Sequence, residues 1–405
     1  MIYSFAIRLY AFAVRLAALF NVKARLMLEG QRKTFATLRG KIRPDDTCVW
    51  FHAASLGEFE QGRPLMELLR QRRPQYKIVL TFFSPSGYEV RKNYKGADVV
   101  CYLPFDTPSN AHKFIKLVHP RAAFFIKYEF WYNYLCVCRE RGIETFSVSS
   151  IFRPHQRFFK WYGRWARRVL RCFTYFFVQD ECSRRLLARI GLNNVTVSGD
   201  TRFDRVCEIA RGAKDLPLAA RLADGHLMLV AGSTWERDED LLIPYFNEHP
   251  EVKLILAPHV VSERRLRDIE GRLRRSFVRY SEAAERGCSA ECLIIDCYGL
   301  LSSVYRYADV AYVGGGFGVG IHNVLEAAVY GVPVVIGPNN KKFREAQDLL
   351  HLGGCIEVRD VGELKKVLDS LFGDGVLLAK RGRVAGDYIA KHGGASKIIM
   401  ERVRL

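Results

Sequence analysis

The sequence predicts an α/β protein with two β/α domains of the nucleotide-binding type. Its 405 residues exceed what a single hydrophobic core usually serves, which favours two domains. Short apolar, β-branched runs alternate with segments of helical pattern, as is typical of parallel strands buried on both faces. Between residues 309 and 338, a strand, a glycine-rich turn, a helix and a second strand follow in direct succession. Parallel sheets covered by helices are built from such units.

The glycine-rich turn of this unit is a candidate ligand site. It follows the apolar run Val310–Val313 and contains Gly314, Gly315, Gly316, Gly318 and Gly320. Glycine permits positive φ and leaves backbone N–H groups accessible, and a helix that begins after the turn directs its positive end toward it. We therefore predict an anion site in this turn, although tight packing alone would also explain a cluster of glycines.

Asn323 and Glu326 lie on the predicted helix that follows the turn. Because they are three residues apart, they project to the same side of the helix at its ligand end, where a carboxylate suits a ribose diol. The turn has neither the Gly-Lys-Ser/Thr of a P-loop nor the G-x-G-x-x-G spacing of a dinucleotide site. It resembles the donor-nucleotide loop of GT-B glycosyltransferases, in which a Glu on the following helix binds the ribose of a sugar nucleotide.

Charge and cysteine content restrict the classes of partner and compartment. The formal charge of +19 predicts a basic surface that binds nucleic acid, anionic lipid or a phosphorylated substrate. Eleven irregularly spaced cysteines favour a reducing compartment over a disulfide scaffold. None of their spacings matches the Cys-x-x-Cys of a structural zinc site, and we predict no bound metal.

Residues 1–22 are a candidate membrane-associated helix. The segment is nearly all apolar, and its only charged residues, Arg8 and Arg15, are seven residues apart and therefore share one helical face. Arginine at the centre of a bilayer is costly, so we expect the helix to lie in the membrane interface. The basic run over residues 23–43 would then bind an anionic leaflet. A buried core helix is the alternative.

The predicted first domain, residues 23–205, places two carboxylates at strand ends. The strand over residues 48–54 leads into Ser55-Leu56-Gly57-Glu58 at the start of a helix, and the strand over residues 122–126 leads to Glu129. Ligands of open α/β sheets bind at the carboxyl ends of strands. Both carboxylates are therefore candidate site residues, although a first-turn Glu58 could simply complement the helix dipole.

A basic and aromatic segment follows over residues 151–178. At helical spacing its cations would share one face and its aromatic side chains another; they are Arg157, Lys160, Arg164, Arg167 and Arg171, with Phe158, Trp161, Tyr162 and Trp165. The interpretations are a solvated basic helix that packs by its aromatic face, or a helix that meets a lipid surface or the phosphates of an acceptor.

The predicted second domain, residues 206–384, contains the glycine-rich unit and three more strands whose ends are candidate ligand loops. The strand over residues 227–231 turns at Ser233, and the strand over residues 253–256 leads to Pro258 and His259. The strand over residues 293–296 leads to Cys297-Tyr298-Gly299. A tail over residues 385–405 has a helical pattern and could pack back on the first domain.

Several of these motifs together resemble those of the bacterial 3-deoxy-D-manno-octulosonic acid (Kdo) transferases, over about residues 1–350. His52-Ala53-Ala54-Ser55-Leu56-Gly57-Glu58 resembles the family's His-Ala-x-Ser-x-Gly-Glu. Glu129 begins a Glu-Phe-Trp-Tyr-Asn run that resembles Glu-Leu-Trp-Pro-Asn, and Arg202 stands where the family has the Lys of Gly-Asn-Leu-Lys-Phe-Asp. Residues 320–326 resemble Gly-Gly-His-Asn-Pro-Leu-Glu.

The resemblance implies a fold, a reaction and a location. The fold would be the GT-B architecture, in which two Rossmann-like domains face a central cleft. The reaction would be an inverting, metal-independent transfer of Kdo from CMP-Kdo to a lipid A precursor, with no cofactor besides the donor substrate. The location would be the cytoplasmic face of a bacterial inner membrane, with no nucleic-acid partner.

The resemblance also implies roles for individual residues. Glu58 would be the general base, Glu129 and Arg202 would stabilise the transition state, and Ser55 and Gly57 would contact the acceptor. The implied CMP-binding residues are Pro258, His259, Cys297, Tyr298, Gly299, Asn323, Val324, Leu325 and Glu326. Further donor-loop residues would be Ser233, Gly315, Gly316 and His322.

The sequence also departs from the family pattern. Lys127 replaces a Glu, Ile321 replaces a Gly, and residues 149–153 differ from the family's Ala-Arg-Leu-Ser-Glu-Arg. Another GT-B transferase with a UDP-sugar donor and a lipid acceptor is the alternative enzyme. A basic, membrane-tethered nucleic-acid-binding or lipid-binding protein would explain the charge, but it would leave the two strand-end carboxylates or the nucleotide loop unexplained.

Overall fold

The computed structural model describes residues 2–286, 290–403 and 405 and divides the chain into two compact units. The first unit comprises Met1–Arg205 and Gly393–Leu405, and the second comprises Val206–His392. Within the described residues, each unit is built on a seven-stranded sheet in which neighbouring strands are parallel. The predicted α/β class with two β/α domains is therefore confirmed.

The first unit contains seven strands and nine helices before residue 212 in the part of the chain that the structure describes. The strands are β1 (Cys48–Ala53), β2 (Lys77–Phe82), β3 (Val99–Tyr102), β4 (Pro120–Ile126), β5 (Glu144–Ser150), β6 (Tyr175–Val178) and β7 (Val195–Val197). The helices are α1 (Ile2–Ala17), α2 (Val22–Lys41), α3 (Leu56–Arg72), α4 (Pro85–Arg91), α5 (Pro108–Val118), α6 (Tyr132–Glu140), α7 (Arg167–Leu170), α8 (Glu181–Ala188) and α9 (Thr201–Arg211), the last of which continues into the second unit.

The second unit repeats this organisation. Its strands are β8 (Leu227–Thr234), β9 (Val252–Pro258), β10 (Phe277–Arg279), β11 (Cys292–Ile294), β12 (Val310–Val313), β13 (Val334–Ile336) and β14 (Cys355–Glu357). Its further helices are α10 (Pro217–Ala223), α11 (Glu236–Glu248), α12 (Glu263–Arg272), α13 (Tyr280–Arg286), α14 (Leu301–Val304), α15 (Leu325–Ala328), α16 (Arg344–Leu352), α17 (Val361–Gly373) and α18 (Gly375–His392). Helix α19 (Ala395–Arg402) belongs to the first unit.

The strand order of each sheet reverses beside the first strand of its unit, and in the second sheet β10 and β11 also exchange places at the edge. The first has the order β3-β2-β1-β4-β5-β6-β7, so its reversal lies between β1 and β4. The second has the order β10-β11-β9-β8-β12-β13-β14, so its reversal lies between β8 and β12. In doubly wound folds, ligands bind outside the carboxyl ends of the strands at this switch point. The topology thus marks one candidate ligand edge in each unit.

The cores lie on both faces of each sheet, because strands buried on two sides present alternate residues to different layers. Trp50 and Phe125 belong to the core cluster on one face of the first sheet, while Phe51 and Phe124 belong to the cluster on the other. The Phe51 and Phe124 rings stack with centroids 4.7 Å apart. This packing fixes β1 against β4, the two strands that flank the switch point.

The N-terminal segment forms two helices, α1 and α2, that meet at an angle of 119°. Among the described residues, only this bent pair, and no single helix, has the length and hydropathy of a candidate membrane span. One face of α1 is buried through Ala11 and Val14, which pack in a cluster with Tyr102 and Phe105. The opposite face is exposed, and its large apolar side chains are Phe5, Leu9, Phe12 and Leu16.

The basic segment after β5 is not the continuous helix that its spacing predicts. It forms two 3₁₀ turns, Arg157–Phe159 and Trp161–Arg164, and the single turn of α7. The Arg167 guanidinium turns back and donates to the carbonyls of Phe158 and Lys160 at 2.8 and 2.9 Å. Gly163 lies so close to the Arg157 carbonyl that a Cβ there would be 1.8 Å away. The cations therefore do not form one stripe.

The tail predicted as one helix over residues 385–405 is two helices, α18 and α19. They are separated by Gly393 and Gly394, the second of which has φ of 96°, in the left-handed region that glycine adopts most readily. Helix α19 packs on α3, and its Ile399 and Met400 are part of the first unit's core. The Asp204 carboxylate accepts the Gly394 and Ser396 amides at 2.5 and 2.6 Å.

Candidate active site

Glu58 and Glu129 lie on the two sides of the switch point in the first sheet. Glu58 is in the first turn of α3, directly after β1, and Glu129 follows β4. Since β1 and β4 are neighbouring parallel strands, both carboxylates lie at the same edge of the sheet. Sequence reasoning placed each at a strand end, but the order of the strands is what brings them to adjacent positions.

Glu58 is held by Ser55, three residues before it. Ser55 is the N-cap residue of α3, and its hydroxyl donates to the Glu58 carboxylate instead of accepting a helix amide. Glu58 is only half-buried, so the carboxylate can reach a bound molecule. An added Cβ at the intervening Gly57 would meet only Ser55 Oγ, at 3.8 Å, so protein packing does not require glycine there.

Glu129 is held by a chain of hydrogen bonds from the sheet interior. The Trp131 indole donates to Glu129 Oε2 at 2.6 Å, and His52 Nε2 lies 3.2 Å from the same oxygen. The ring of His52 is fully buried, and its Nδ1 is bonded to Thr81 Oγ1 at 2.9 Å. Thr81 Oγ1 also accepts the Trp50 indole at 2.8 Å. The carboxylate is therefore fixed by groups on two neighbouring strands, β1 and β2, and on the loop after β4.

Two residues at this edge have a backbone conformation that non-glycine residues rarely adopt. Lys127, between β4 and Glu129, has φ of 67°, and Ser149, near the end of β5, has φ of 51°. The backbone of each is fixed, since the Lys127 amide donates to the Val148 carbonyl and Gln179 donates to the Ser149 carbonyl. Such conformations are concentrated at functional sites. Both residues lie where the sequence departs from the Kdo transferase pattern.

Arg202 is positioned by Asp200. Its Nε donates to Asp200 Oδ2 at 2.8 Å, and its backbone amide donates to Oδ1 at 2.9 Å. Gln61 of α3 also donates to Asp200 Oδ1, at 3.0 Å. Gln61 lies one helical turn after Glu58, so Asp200 connects the guanidinium to the helix that carries this carboxylate. The sequence predicts Arg202 as a candidate site residue but neither Asp200 nor Gln61. Asp200 and Gln61 are 139 positions apart, and no spacing pattern relates residues at that separation.

The glycine-rich turn after β12 is tightly packed. A Cβ at Gly314 would be 2.4 Å from the Ser233 carbonyl oxygen, and one at Gly316 would be 2.6 Å from the Gly337 Cα. Gly315 and Gly320 have φ of 93° and 120°. The prediction that these glycines expose their amides is wrong for most of the turn, because six amides donate within the protein. They are those of Gly314, Gly315, Gly318, Gly320, Ile321 and His322.

A buried aspartate holds this turn in place. Asp238 accepts the Gly315 amide and the Tyr312 hydroxyl, each at 2.8 Å, and also caps α11 through the Trp235 amide. Burial raises the pKa of Asp238, and these three donors oppose that rise. Asp238 begins an Asp-Glu-Asp run whose other carboxylates form ion pairs, Glu239 with Arg265 and Asp240 with Arg272. The three carboxylates of this run therefore stabilise the structure of the second unit.

Asn323 and Glu326 are brought together, but on a shorter helix than the sequence predicts. Helix α15 is a single turn that begins after Asn323. This described segment is therefore too short to have the dipole that we expected from a longer helix. The Asn323 amide donates to Glu326 Oε1 at 3.1 Å, and the Ser302 hydroxyl donates to Oε2 at 2.7 Å. Val324 and Leu325 are buried, so they can offer a ligand only their backbone.

Three aromatic side chains stack beside the glycine-rich turn. The ring centroids of Trp235 and His259 are 4.8 Å apart, and those of His259 and His322 are 4.4 Å apart. The Trp235 indole, which can only donate, bonds to His322 Nε2 at 3.2 Å, so the proton of a neutral His322 is on Nδ1. Burial, assisted by the neighbouring His259, lowers the pKa of His322. Trp235 itself is exposed.

The remaining predicted donor-loop residues lie at the same edge of the second sheet. Ser233 has φ of 54° at the end of β8, and Pro258 is the last residue of β9. Tyr298 is 75% exposed and its hydroxyl accepts the Val261 amide, while Gly299 has φ of 91°. Burial raises the pKa of the half-buried Cys297. These residues lie at the ends of β8 and β9 and after β11, three strands that are consecutive in the sheet.

Comparison with known proteins agrees with this arrangement. The fold is similar to that of a UDP-GlcNAc 2-epimerase from Neisseria meningitidis, with a TM-score of 0.62 and 13% identity over 88% of this chain and 99% of that one. A second UDP-N-acetylglucosamine 2-epimerase, from Listeria monocytogenes, gives a TM-score of 0.56 at 14% identity over 88% of this chain and 95% of that one. Two seven-stranded parallel sheets of this order have the organisation of the GT-B fold.

The sequence comparisons relate the chain to one family of enzymes. Residues 24–205 match the family described as 3-deoxy-D-manno-octulosonic-acid transferase. A transferase of that name from Bordetella pertussis is 26% identical over 86% of this chain and 85% of its own length. The corresponding proteins of Aquifex aeolicus and Haemophilus influenzae are 25% and 24% identical over 80% and 89% of this chain and 85% and 87% of their own lengths. Over most of its length the chain is therefore similar to the Kdo transferases, a family of glycosyltransferases.

Proposed function

We propose that this chain transfers Kdo from CMP-Kdo to a hydroxyl group of a lipid A precursor, with inversion at the anomeric carbon. The observation that carries the proposal is the pair of carboxylates at the switch point of the first sheet, Glu58 and Glu129, together with Arg202 on Asp200. These three residues stand in motifs that resemble those of the family. The nucleotide would bind at the switch point of the second sheet.

Glu58 acts as the general base in this mechanism. A sugar hydroxyl is a poor nucleophile at neutral pH, so a carboxylate must take its proton as the new C–O bond forms, which supplies roughly a hundred- to ten-thousand-fold in rate. The bond between the anomeric carbon and the CMP phosphate breaks in the same step, and CMP leaves as an anion. The hydroxyl of Ser55 orients the Glu58 carboxylate, and Gly57 leaves space beside it.

Glu129 and Arg202 stabilise charge in the transition state. Positive charge develops on the anomeric carbon as the bond to phosphate breaks, and a fixed carboxylate such as Glu129 stabilises it. The Arg202 guanidinium matches the negative charge that develops on the leaving phosphate. Both groups are held by neighbours before the substrate binds, which avoids reorganisation during the reaction.

The donor nucleotide is held by the second unit. The Glu326 carboxylate, fixed by Asn323 and Ser302, accepts hydrogen bonds from the ribose diol. The exposed Trp235, stacked on His259, offers an aromatic face for the cytosine base. The remaining predicted donor residues, including Gly315, Gly316 and His322, shape the loop through their backbone and ring contacts. This assignment needs neither a metal nor a further cofactor.

The proposed place of action is the cytoplasmic face of a bacterial inner membrane. Helix α1 presents an exposed apolar face, and its Arg8 and Arg15 are also exposed. Apolar side chains beside arginines suit the boundary between acyl chains and lipid headgroups. The basic residues of α2 would add attraction to anionic lipid. Binding to anionic lipid would account for the positive net charge without a nucleic-acid partner.

An assay with CMP-Kdo and a lipid A precursor tests the proposal. The wild-type protein should transfer Kdo, and Glu58→Gln should lose at least roughly a hundredfold in turnover while it binds CMP normally. Glu67→Gln is the matched control, because Glu67 lies on the same helix but pairs with Arg63 on the surface. Transfer from a UDP-sugar in place of CMP-Kdo, or near-normal turnover of Glu58→Gln, would overturn the corresponding part of the proposal.

A further inference from the structure

The first unit contains a cavity of about 790 Å³ that the catalytic residues do not use. One wall is the first turns of α1, through Tyr3 and Ala6. The others are the loop after β4 and the segment that leads into α7, through Phe130, Tyr132, Phe158 and Trp165. Its volume is within the range of cavities that bind organic ligands. Most of its lining is apolar, so it suits an apolar ligand.

Two charged residues contribute to the described lining, and both are cationic. They are Arg157 and Arg168, which are exposed, so their guanidinium groups can remain in water while apolar side chains form the interior. Arg157 is held with its guanidinium 5.3 Å from the centre of the Trp165 ring. An apolar interior beside two exposed guanidinium groups is complementary to an amphiphile with an anionic head.

The walls of the cavity continue into exposed apolar surface. Trp161 is 90% exposed and Tyr162 and Trp165 are also exposed, while Phe5 and Leu9 lie on the uncovered face of α1. Aromatic side chains with a polar edge are favoured where acyl chains meet water. The cavity therefore lies among the side chains that are best suited to a lipid surface.

The cavity also borders the loop that carries Glu129. Phe130 and Tyr132 line it, and the residue between them, Trp131, donates its indole hydrogen to Glu129. A molecule whose apolar part fills the cavity would therefore have its polar part close to the loop that carries this carboxylate. Such a position suits a molecule that takes part in the reaction.

We propose that this cavity takes one acyl chain of the lipid acceptor and that Arg157 and Arg168 bind a phosphate group on the same molecule. The inference rests on the proposed function, because it assumes an acceptor that is acylated and phosphorylated. A chain that moves from the bilayer into the cavity exchanges one apolar environment for another. The cavity thus orients the acceptor at the active site and adds little to its attraction to the membrane.

Chain-length dependence in water tests the proposal. For a soluble acceptor analogue below its critical micelle concentration, each methylene that enters the cavity should strengthen binding roughly fourfold. We expect KM for CMP-Kdo transfer to fall stepwise as a single acyl chain on a phosphorylated glucosamine disaccharide is lengthened. Chain-length independence for the wild-type protein would overturn the proposal.

Filling the cavity should remove this dependence. Ala6→Trp places an indole in the cavity, and Ala13→Trp is the matched control, because Ala13 is two turns further along α1, exposed, and outside the lining. Ala6→Trp should flatten the chain-length dependence and leave CMP binding unchanged, whereas Ala13→Trp should behave as the wild type. If both variants retain the dependence, the chain binds elsewhere and the proposal is wrong.

The arginines are tested with phosphorylated and dephosphorylated analogues. Arg157→Gln and Arg168→Gln should each reduce the preference for the phosphorylated analogue by about tenfold or more, as expected for a hydrogen bond to a charged group. Arg164→Gln, an exposed arginine outside the lining, is the control. An equal effect of all three substitutions would show that the arginines attract the analogue only through their general positive charge. It would contradict the assigned phosphate contact.

The result separates this inference from the proposed function. If the wild-type protein transfers Kdo to the analogues but none of the cavity variants differs from its control, the cavity assignment is wrong and the function stands. If it transfers no Kdo to any analogue, the proposed function fails. In that case, calorimetry still tests the cavity as a lipid site. Binding of the analogues should depend on chain length in the wild type and lose this dependence in Ala6→Trp.

Discussion

At the scale of single residues, the polar groups of both candidate ligand edges are held by neighbouring side chains. His52 and Trp131 fix Glu129, Asp200 fixes Arg202, and Ser302 fixes Glu326. A carboxylate or guanidinium that is already oriented can bind a ligand without the entropic cost of ordering a long side chain. Substitution of one of these partners should therefore weaken ligand binding or catalysis in the same way as substitution of the carboxylate or arginine that it holds, but by less.

Glu326→Ala should weaken CMP binding by about 1 to 3 kcal/mol, because a charged hydrogen-bond acceptor for the ribose is lost. Ser302→Ala should cause a smaller loss, since Asn323 still holds the Glu326 carboxylate. Calorimetric titration with CMP measures both. Glu248→Ala is the control, because Glu248 pairs with Lys365 at the far end of α11. Unchanged CMP affinity in a folded Glu326→Ala protein would refute the ribose assignment.

Asp106 should make stability depend on pH in the mildly acidic range. Burial raises its pKa from 3.8 to about 6, although the Tyr3 hydroxyl and the amides of Asn133 and Tyr134 oppose the rise. The folded state then binds the proton more tightly than the unfolded state. The stabilisation is complete below pH about 4 and is lost as pH rises through about 6, by about 3 kcal/mol at most.

The difference between wild type and Asp106→Asn isolates this contribution from that of other carboxylates. Unfolding free energies measured from about pH 4 to about pH 7 should fall more steeply with pH in the wild type than in the variant. Asp98→Asn is a surface control, because this carboxylate is partly exposed and pairs with Arg70. Parallel pH profiles for wild type and Asp106→Asn would contradict the prediction.

At the scale of elements, the sequence predicted strands and the residues at their ends better than it predicted helices. Strand ends are marked locally by β-branched runs and glycines, so Glu58, Glu129 and His259 could be assigned correctly to the ends of β1, β4 and β9. Helix lengths depend on contacts made elsewhere. Helix α15 is one turn long, and Arg167 folds its segment back onto the carbonyls of Phe158 and Lys160.

The same limit applies to the glycine-rich turn. Its glycines could be recognised as a tight β–α turn, but whether its amides face a ligand depends on acceptors distant in sequence. Asp238, which accepts the Gly315 amide, is 77 residues earlier in the chain. The positive φ of Lys127, Ser149 and Ser233 was equally unpredictable, because these residue types carry no local preference for that conformation.

Helix α1 should contribute a part of membrane binding that salt cannot remove. Replacement of Leu9 and Phe12 by serine should cost little stability, since both side chains are exposed, but it removes about 1.5 to 3 kcal/mol of apolar burial for each side chain that inserts into lipid. Sedimentation with anionic vesicles at high salt should release more of this variant than of the wild type. Deletion of residues 1–22 should leave binding that is mainly salt-sensitive.

A matched basic substitution distinguishes the two contributions. Arg32→Ala with Arg39→Ala on α2 should weaken vesicle binding at low salt and have little effect at high salt, because ionic attraction at the surface is screened. Complete release of the wild-type protein by salt alone would contradict a role for the apolar face. Cleavage of the N-terminus by protease outside sealed, cytoplasm-inside vesicles would show instead that the segment spans the membrane.

At the scale of the whole molecule, the C-terminal helix should stabilise the unit that begins the chain. Ile399 is fully buried in the first unit's core, whereas its neighbour Ile398 is exposed. Ile399→Ala should destabilise the first unit by about 2 to 5 kcal/mol, and Ile398→Ala by much less. Hydrogen exchange should increase in β1 and α3 of the Ile399 variant and remain unchanged in the second unit. Equal effects of the two substitutions would contradict this packing.

The return of the chain at Gly393 and Gly394 has a consequence for synthesis on the ribosome. The first unit starts at residue 1, but its core includes Ile399 and Met400. Asp204 of the same unit accepts hydrogen bonds from the amides of residues 394 and 396, which are synthesised much later. The second unit, by contrast, is complete in sequence at His392. Although nascent domains generally fold from the N-terminus onward, the core of the unit that emerges first from the ribosome can be completed only after residues 394–400 have been synthesised.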